Sequence, residues 1–274
     1  MLLHMLLRGD GGDLISSVGN GANAGIVEEA LKGGGLLFLF FFLPDVLDRV
    51  TSGIVYGVLI GGGFALAENI FYFTQSPRTL FVPMIIGRIV LGWLMHSTFT
   101  ACFGAALGYT RQIRGRWGQR LLPVGGYLLA VGLHSLFDIV LFQVSMTMLL
   151  MPENSTINYF SNVVMIGDYL PPFIAQMILA ALFFKAQMKD VEVVQEFLGG
   201  EVSRGTVTVE EYILLQHPSR RMRHERRILQ MDGVRQWMWI KALYQAEITL
   251  AFYHWHSSNN MNKKTVRAKA ETEQ

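Results

Sequence analysis

Seven side chains that can carry charge or move a proton lie in stretches too apolar to solvate them. They are Glu28, Glu29 and Lys32 in GIVEEALK, Glu68 in GFALAENIFYF, His96 in MHSTFTACFG, and His134 with Asp138 in LHSLFDIV. Paired carboxylates beside imidazoles can take a proton from water, stabilise developing charge or ligate a metal. Glu28 and Lys32 are four residues apart, so an intrahelical ion pair is available to them, and by itself that is a structural feature. Glu29 points about 100° away from Glu28 around a helix. One lysine for two neighbouring carboxylates leaves one carboxylate unpaired, which suits a general base. A single histidine in an apolar helix more often bonds to a neighbouring helix than to a metal. Two histidines with Glu and Asp on converging faces bring those readings level.

The elements that position these groups follow from what it costs to bury them. An ionisable residue near the middle of a lone spanning helix costs about 2.5–3.5 kcal/mol, so seven facing lipid separately would cost on the order of 15–20 kcal/mol. They must face inward. Spacing supports this, because residues four apart share a helix face. Gly53, Gly57, Gly61 and Ala65 form a small-residue stripe that Glu68 continues. His96 is followed by Thr100, Gly104 and Gly108; Gly126 and Ala130 lead to His134 and Asp138; Gly21 and Gly25 lead to Glu29 and Gly33. Small residues let helix backbones approach closely in a membrane. Each ionisable group therefore sits on the face its helix turns to another helix.

Composition agrees. The chain has 274 residues, 51% hydrophobic and only 16% charged, with mean hydropathy +0.33, against about a quarter charged in soluble domains. The expected fold is all-α, a polytopic membrane bundle of about five spanning helices. The spans are expected at 26–43, 52–73, 80–109, 121–149 and 170–186, with Pro83 a candidate breaker of the third. A net charge of +2 is too small to imply nucleic-acid binding and no recognition motif supports it, so no nucleic-acid partner is expected. The lone Cys102 reads as a packing residue. The connection Thr110–Arg120 carries four arginines and no acid, whereas 151–168 carries two acids and no Lys or Arg. The positive-inside rule then places the Arg-rich loop and the C-terminus in the cytoplasm of a multi-pass cell-membrane protein. Asn154-Ser-Thr on the outer side is formally a glycosylation sequon, of a kind that arises by chance.

The domain reading is an N-terminal segment 1–24, a membrane core 25–188, a small cytoplasmic helical extension 189–256 and a disordered polar tail 257–274. Thr208 with Glu211 reads as a capping box. RRMRHERR, Arg220–Arg227, reads as a basic face toward anionic lipid headgroups in preference to a protein-docking site.

Four of these pieces in this order, each on its own apolar helix, resemble the PrsW family of intramembrane proteases, relatives of the CAAX-prenyl-protease and bacteriocin-processing superfamily. The matching residues are Glu28-Glu29-x-x-Lys32, Phe64-x-x-x-Glu68-Asn69, His96, and His134-x-x-x-Asp138. The resemblance implies proteolysis of a single-span membrane protein, of the anti-sigma-factor kind, by water attack. It implies that Glu28 and Glu29 activate the water, with Glu28 the ion-paired member and Glu29 the base. Glu68, His96 and His134 would hold the water, the oxyanion or one zinc-like divalent ion, Asp138 would orient His134, and Asn69 would donate to the oxyanion. Whether a metal or glutamate alone does the work stays open, since there is no H-E-x-x-H helix. Direct attack fits better than an acyl-enzyme, because no Ser or Cys nucleophile shares the constellation. Family members usually carry further spanning helices before the paired glutamates, so the chain reads as short at its N-terminus. Two other readings compete: a proton- or ion-coupled transporter, for which no internal repeat is found, and an inactive homologue that binds a membrane partner.

Overall fold

The computed structural model describes residues 14–78, 81–92, 94–113, 115–150, 163–164 and 166–272, and every element among them is helical. The sequon at Asn154 lies outside the described residues. The chain divides into two compact units, Met1–Phe183 and Phe184–Gln274.

In the first unit, α1 (Leu14–Phe42) and α2 (Val50–Gln75) are followed by α3 (Phe81–Met84), which runs into a π-helical stretch, Ile85–Leu91. Then come α4 (Met95–Gln112), α5 (Arg116–Leu150) and α6 (Leu170–Phe197), the last crossing into the second unit. Glycine contacts fix the packing. A Cβ on Gly53 would strike the Gly104 carbonyl, one on Gly57 the Ala101 backbone, and one on Gly61 the His96 carbonyl. Contacts that descend along α4 as α2 ascends make the pair antiparallel. Gly21 and Gly25 meet Ile139 and Ser135 in the same way, laying α1 antiparallel on α5. Gly126 packs on Ala106, joining α5 to α4. The stripes read from the sequence are therefore the helix crossings. Leu36, Leu47, Met95, Phe99, Phe103, Leu107 and Ala130 form the core between them.

Among the described residues, four segments are long and apolar enough to cross a membrane: Val50–Gln75, Ile85–Gln112, Arg116–Val144 and Ile166–Arg204. The remaining expected span, 26–43, lies inside α1, where Glu28, Glu29 and Lys32 lower its apolarity. The third expected span is broken, though not at Pro83, which sits within α3. The break follows Gly92, whose amide reaches back five residues to the Gly87 carbonyl at 2.9 Å; α4 then starts afresh at Met95.

The second unit has its own core of Val193, Val194, Leu198, Val207, Leu215, Tyr244, Ile248, Ala251 and Phe252. Short helices α7 (Gly199–Arg204) and α8 (Val209–Leu215) precede α9 (Pro218–Met231) and α10 (Gly233–Thr272). The capping box is present: Thr208 Oγ1 accepts from the Glu211 amide at 3.2 Å, and Glu211 accepts from the Thr208 amide at 2.8 Å. The segment expected to be disordered from residue 257 instead continues α10 to Thr272. Its Lys, Arg, Ala and Glu are good helix formers, and propensity outweighs polarity there.

Candidate active site

The crossings bring the ionisable residues of four helices into one cluster. Glu29 is buried and saturated. Its Oε1 lies 2.5 Å from Lys32 Nζ and 2.9 Å from His134 Nδ1, and its Oε2 accepts from Thr100 Oγ1 at 3.2 Å. Glu28 is the opposite case. Its Oε2 is buried with no hydrogen-bond partner, and Lys32 Nζ, His96 Nδ1 and His134 Nε2 stand off at 3.8, 3.8 and 3.6 Å. The close lysine partner is thus Glu29 at i,i+3 and not the expected Glu28, which lines the cavity. The reason is tertiary, since His134 and Thr100 come from α5 and α4 to complete a cage around Glu29.

Each histidine is held by a carboxylate on one nitrogen. Glu29 Oε1 accepts from the Nδ1–H of His134, which leaves Nε2 as the acceptor. Glu68 Oε2 lies 2.9 Å from His96 Nε2, which leaves Nδ1 as the acceptor. Asp138, expected to orient His134, lies 3.5 Å from its Nε2 on the cavity side; the orienting carboxylate is Glu29. Lys32 Nζ also donates to His96 Nδ1 at 3.1 Å and sits 4.5 Å from the Phe64 ring centroid.

Arg88, in the π-helical stretch, is the residue that sequence reasoning passed over. Its Nη2 is 2.6 Å from Glu68 Oε2, its Nε donates to Asn69 Oδ1 at 2.8 Å, and its guanidinium stacks 4.1 Å from the Tyr72 centroid. It clasps two turns of α2 at once. A lone arginine in IIGRIVLG meets the same criterion, charge in an apolar run, that singled out the others. Single π turns inside helices often mark functional sites.

A cavity of about 250 Å³ opens beside the cluster, lined at its polar end by Glu28, Glu68, Asn69, His96, His134 and Asp138. Its other walls are largely apolar, with Met84, Met95, Phe99 and Leu141 among them.

The donor chemistry fits one divalent ion. Glu28, His96 and His134 each offer a ligand atom, all within 4.8 Å of one another. One carboxylate and two imidazoles match a three-ligand catalytic zinc set. Each imidazole has its other nitrogen fixed by a carboxylate, as ligating histidines usually do, and Glu28 Oε2 lies within 3.8 Å of both facing nitrogens. The lone pair of His96 Nδ1 is taken by Lys32 Nζ, which would have to turn away for that nitrogen to ligate. Glu68, expected as the carboxylate ligand, is engaged by Arg88 and His96, and Glu28 takes its place in the group.

Comparison with known proteins bears on the same stretch. A family model described as PrsW family intramembrane metalloprotease matches residues 4–167, more than half of the chain. The chain belongs to the PrsW family. A 117-residue stretch is 28% identical to Protease PrsW of Shouchella clausii (strain KSM-K16), and a 118-residue stretch is 27% identical to Protease PrsW of Clostridioides difficile (strain 630). Each covers 43% of this chain, and the chain spans about half the length of these relatives, 51% and 49%. No solved structure matches it significantly. As a PrsW-family protein with four apolar helices of spanning length, the chain is a membrane protein. The matched region contains every residue of the cluster, and the family match gives a transporter no support.

Proposed function

We propose that this chain is an intramembrane endopeptidase that hydrolyses a peptide bond of a single-span, membrane-anchored protein of the anti-sigma-factor kind. The observation that carries this is the partnerless, buried Glu28 Oε2 at the polar end of a largely apolar cavity, facing two oriented imidazoles. An extended substrate segment fits such a cavity because its side chains are apolar and its scissile peptide is not.

In the proposed reaction Glu28 Oε2 accepts a proton as the water oxygen bonds to the scissile carbonyl carbon. The same proton passes to the leaving amine as the carbon–nitrogen bond breaks. Glu29 keeps His134 in the tautomer that presents Nε2 to the cavity, and Glu68, braced by Arg88, does the same for His96 Nδ1. Asn69 and Arg88 line the wall next to these groups and supply donors where negative charge develops. Were a zinc-like ion held by Glu28, His96 and His134, Glu28 would serve as its ligand in place of base, and the ion would supply Lewis-acid polarisation of the carbonyl and a more acidic water. The Arg-rich connection before α5 supports a cytoplasmic C-terminus.

The test is cleavage of a single-span reporter in proteoliposomes, with products identified by mass spectrometry. Wild type should cut once within or beside the reporter's spanning segment, and Glu28→Gln should not. Metal analysis of the purified chain, with and without His134→Ala, examines the ligand set. Undiminished cleavage by Glu28→Gln would overturn the assignment.

A further inference from the structure

The α9–α10 hairpin of the second unit carries a surface that its own fold does not use. Helix α9 has no fully buried residue along its length; it meets α10 through His224, whose Nδ1 lies 3.0 Å from the Tyr244 hydroxyl, and pairs Arg221 with Glu225. It bears Arg220, Arg221, Arg223, Arg226 and Arg227 with a single acid, Glu225. After the tight turn at Asp232–Gly233, where Gly233 takes φ +83, α10 does not join the core until Ile240 and Tyr244. Its first turns are nonetheless apolar. Val234, Met238 and Trp239 are exposed, as are Met222 and Met231 on α9, with Trp239 at 65% and Met231 at 74%. Arg235 and Lys241 stand among them, Lys241 4.7 Å from the Trp237 ring centroid. Between Pro218 and Lys241 there are seven basic residues and two acids.

Cations interleaved with exposed Trp and Met on an amphipathic hairpin is the chemistry of the membrane–water interface. Indole rings lodge at headgroup depth, thioethers adapt to irregular apolar surroundings, and basic side chains gain from anionic lipid. The chain is already a membrane protein, so a lipid surface is present at high effective concentration. A soluble acidic partner would satisfy the arginines and leave Met231, Val234, Met238 and Trp239 without a reason.

We propose that the α9–α10 hairpin is a membrane-docking element that rests on an anionic lipid surface, with Met231, Val234, Met238 and Trp239 inserted at headgroup level and the arginines on lipid phosphates. This does not depend on the proteolytic reading. The test uses the full chain with Cys102→Ser and a spin label at Met238→Cys, placed in nanodiscs of phosphatidylcholine alone or mixed with phosphatidylglycerol. In the anionic discs the label should become more accessible to dissolved oxygen than to a water-soluble nickel chelate, while a label at exposed Glu210→Cys should not. Neutralising Arg226, Arg227 and Arg235 to Gln should return the Met238 label to water, weakening docking about fivefold per charge and on the order of 100-fold together. A Met238 label that stays aqueous in both compositions overturns the proposal. So does one that is shielded only when an acidic protein or RNA is added.

Discussion

Glu28 and Glu29 are neighbours in sequence, and the structure gives them opposite energetics, which one pair of substitutions can separate. Lys32 is 2% exposed, and its ammonium touches Glu29 at 2.5 Å. Removing one partner of a buried pair costs about 3–5 kcal/mol, because the other charge is left uncompensated. Glu28 remains 3.8 Å from Lys32 and retains part of the attraction, which places Glu29→Gln at the lower end, about 3 kcal/mol. That is on the order of a 100-fold fall in the folded-to-unfolded ratio. Glu28 Oε2 has no hydrogen bond to lose, so Glu28→Gln should shift stability by less than about 1 kcal/mol. It should lower cleavage by about 10²–10⁴-fold if this oxygen takes the proton. Both are measurable on one preparation, by denaturant titration in detergent and by reporter cleavage in proteoliposomes. Adding Lys32→Met to Glu29→Gln should recover most of the lost stability, since an apolar side chain of similar size removes the stranded charge. Equal stability losses for the two glutamine variants, or no recovery with Lys32→Met, would refute the cage drawn around Glu29.

Gly57→Ala should destabilise by about 1–3 kcal/mol, because its Cβ would lie 2.5 Å from Ala101 Cα and 2.9 Å from the Thr100 carbonyl. Gly63→Ala, with nothing within 4 Å, should instead stabilise by up to about 1 kcal/mol through helix propensity; opposite signs in thermal unfolding check the crossing. Arg88→Ala should weaken zinc retention about tenfold in competition with a chelating dye, by freeing Glu68 from its clasp. Arg88→Lys should restore only part of that, since an ammonium cannot reproduce the fork onto Glu68 and Asn69; unchanged zinc affinity in both variants would remove Arg88 from the support of His96. In the second unit, burial, and then the Glu211 carboxylate, push Glu247 from 4.5 up to about 7. A raised carboxyl binds more protons folded than unfolded, so its contribution is fully present below pH 4.5 and lost as pH rises to about 7. The full shift corresponds to about 3 kcal/mol, and solvent screening reduces it to about 1–2. Protection factors of the α10 amides around Tyr244–Phe252, taken against the intrinsic exchange rate at each pH, should therefore be higher at pH 5 than at pH 8, and Glu247→Gln should abolish that difference.

How much of this was legible in the sequence depended on whether one helix or several decided the matter. The four small-residue stripes needed only the 3.6-residue period, and they became the crossings that Gly53, Gly57, Gly61, Gly104 and Gly108 make. The gathering of Glu28, Glu68, His96, His134 and Asp138 at one cavity followed from the cost of burying charge, and the family resemblance pointed the same way. The division between Glu28 and Glu29 could not be read, because i,i+3 and i,i+4 both reach Lys32 and the choice was made by Thr100 and His134 on other helices. In the sequence Pro83 is only a candidate breaker of the third span, because proline is the visible one. The structure accommodates that proline near a helix start and spends the irregularity at Gly87–Gly92, where it delivers Arg88 to Glu68.

The same close approach explains why so much charge is tolerated in one place. Gly61 lets α2 ride on the His96 carbonyl, and about two turns further along α2 Glu68 lies within 2.9 Å of His96 Nε2. Gly25 lets α1 lie against Ser135, which brings Glu29 to His134. A slip of one turn at either crossing, about 5.4 Å, would separate every one of these pairs and strand the charges singly. Charge balance at the assembled cluster then points outward. Among the described residues, Glu28, Glu29, Glu68 and Asp138 face Lys32 and Arg88 as permanent cations. With every carboxylate ionised and the imidazoles neutral, the site is short of two positive charges. One divalent ion at Glu28, His96 and His134 would close that deficit, and so would protons taken up by the carboxylates that line the cavity. Either way the imbalance is left on the cavity side, and not on the Glu29 side, which is closed.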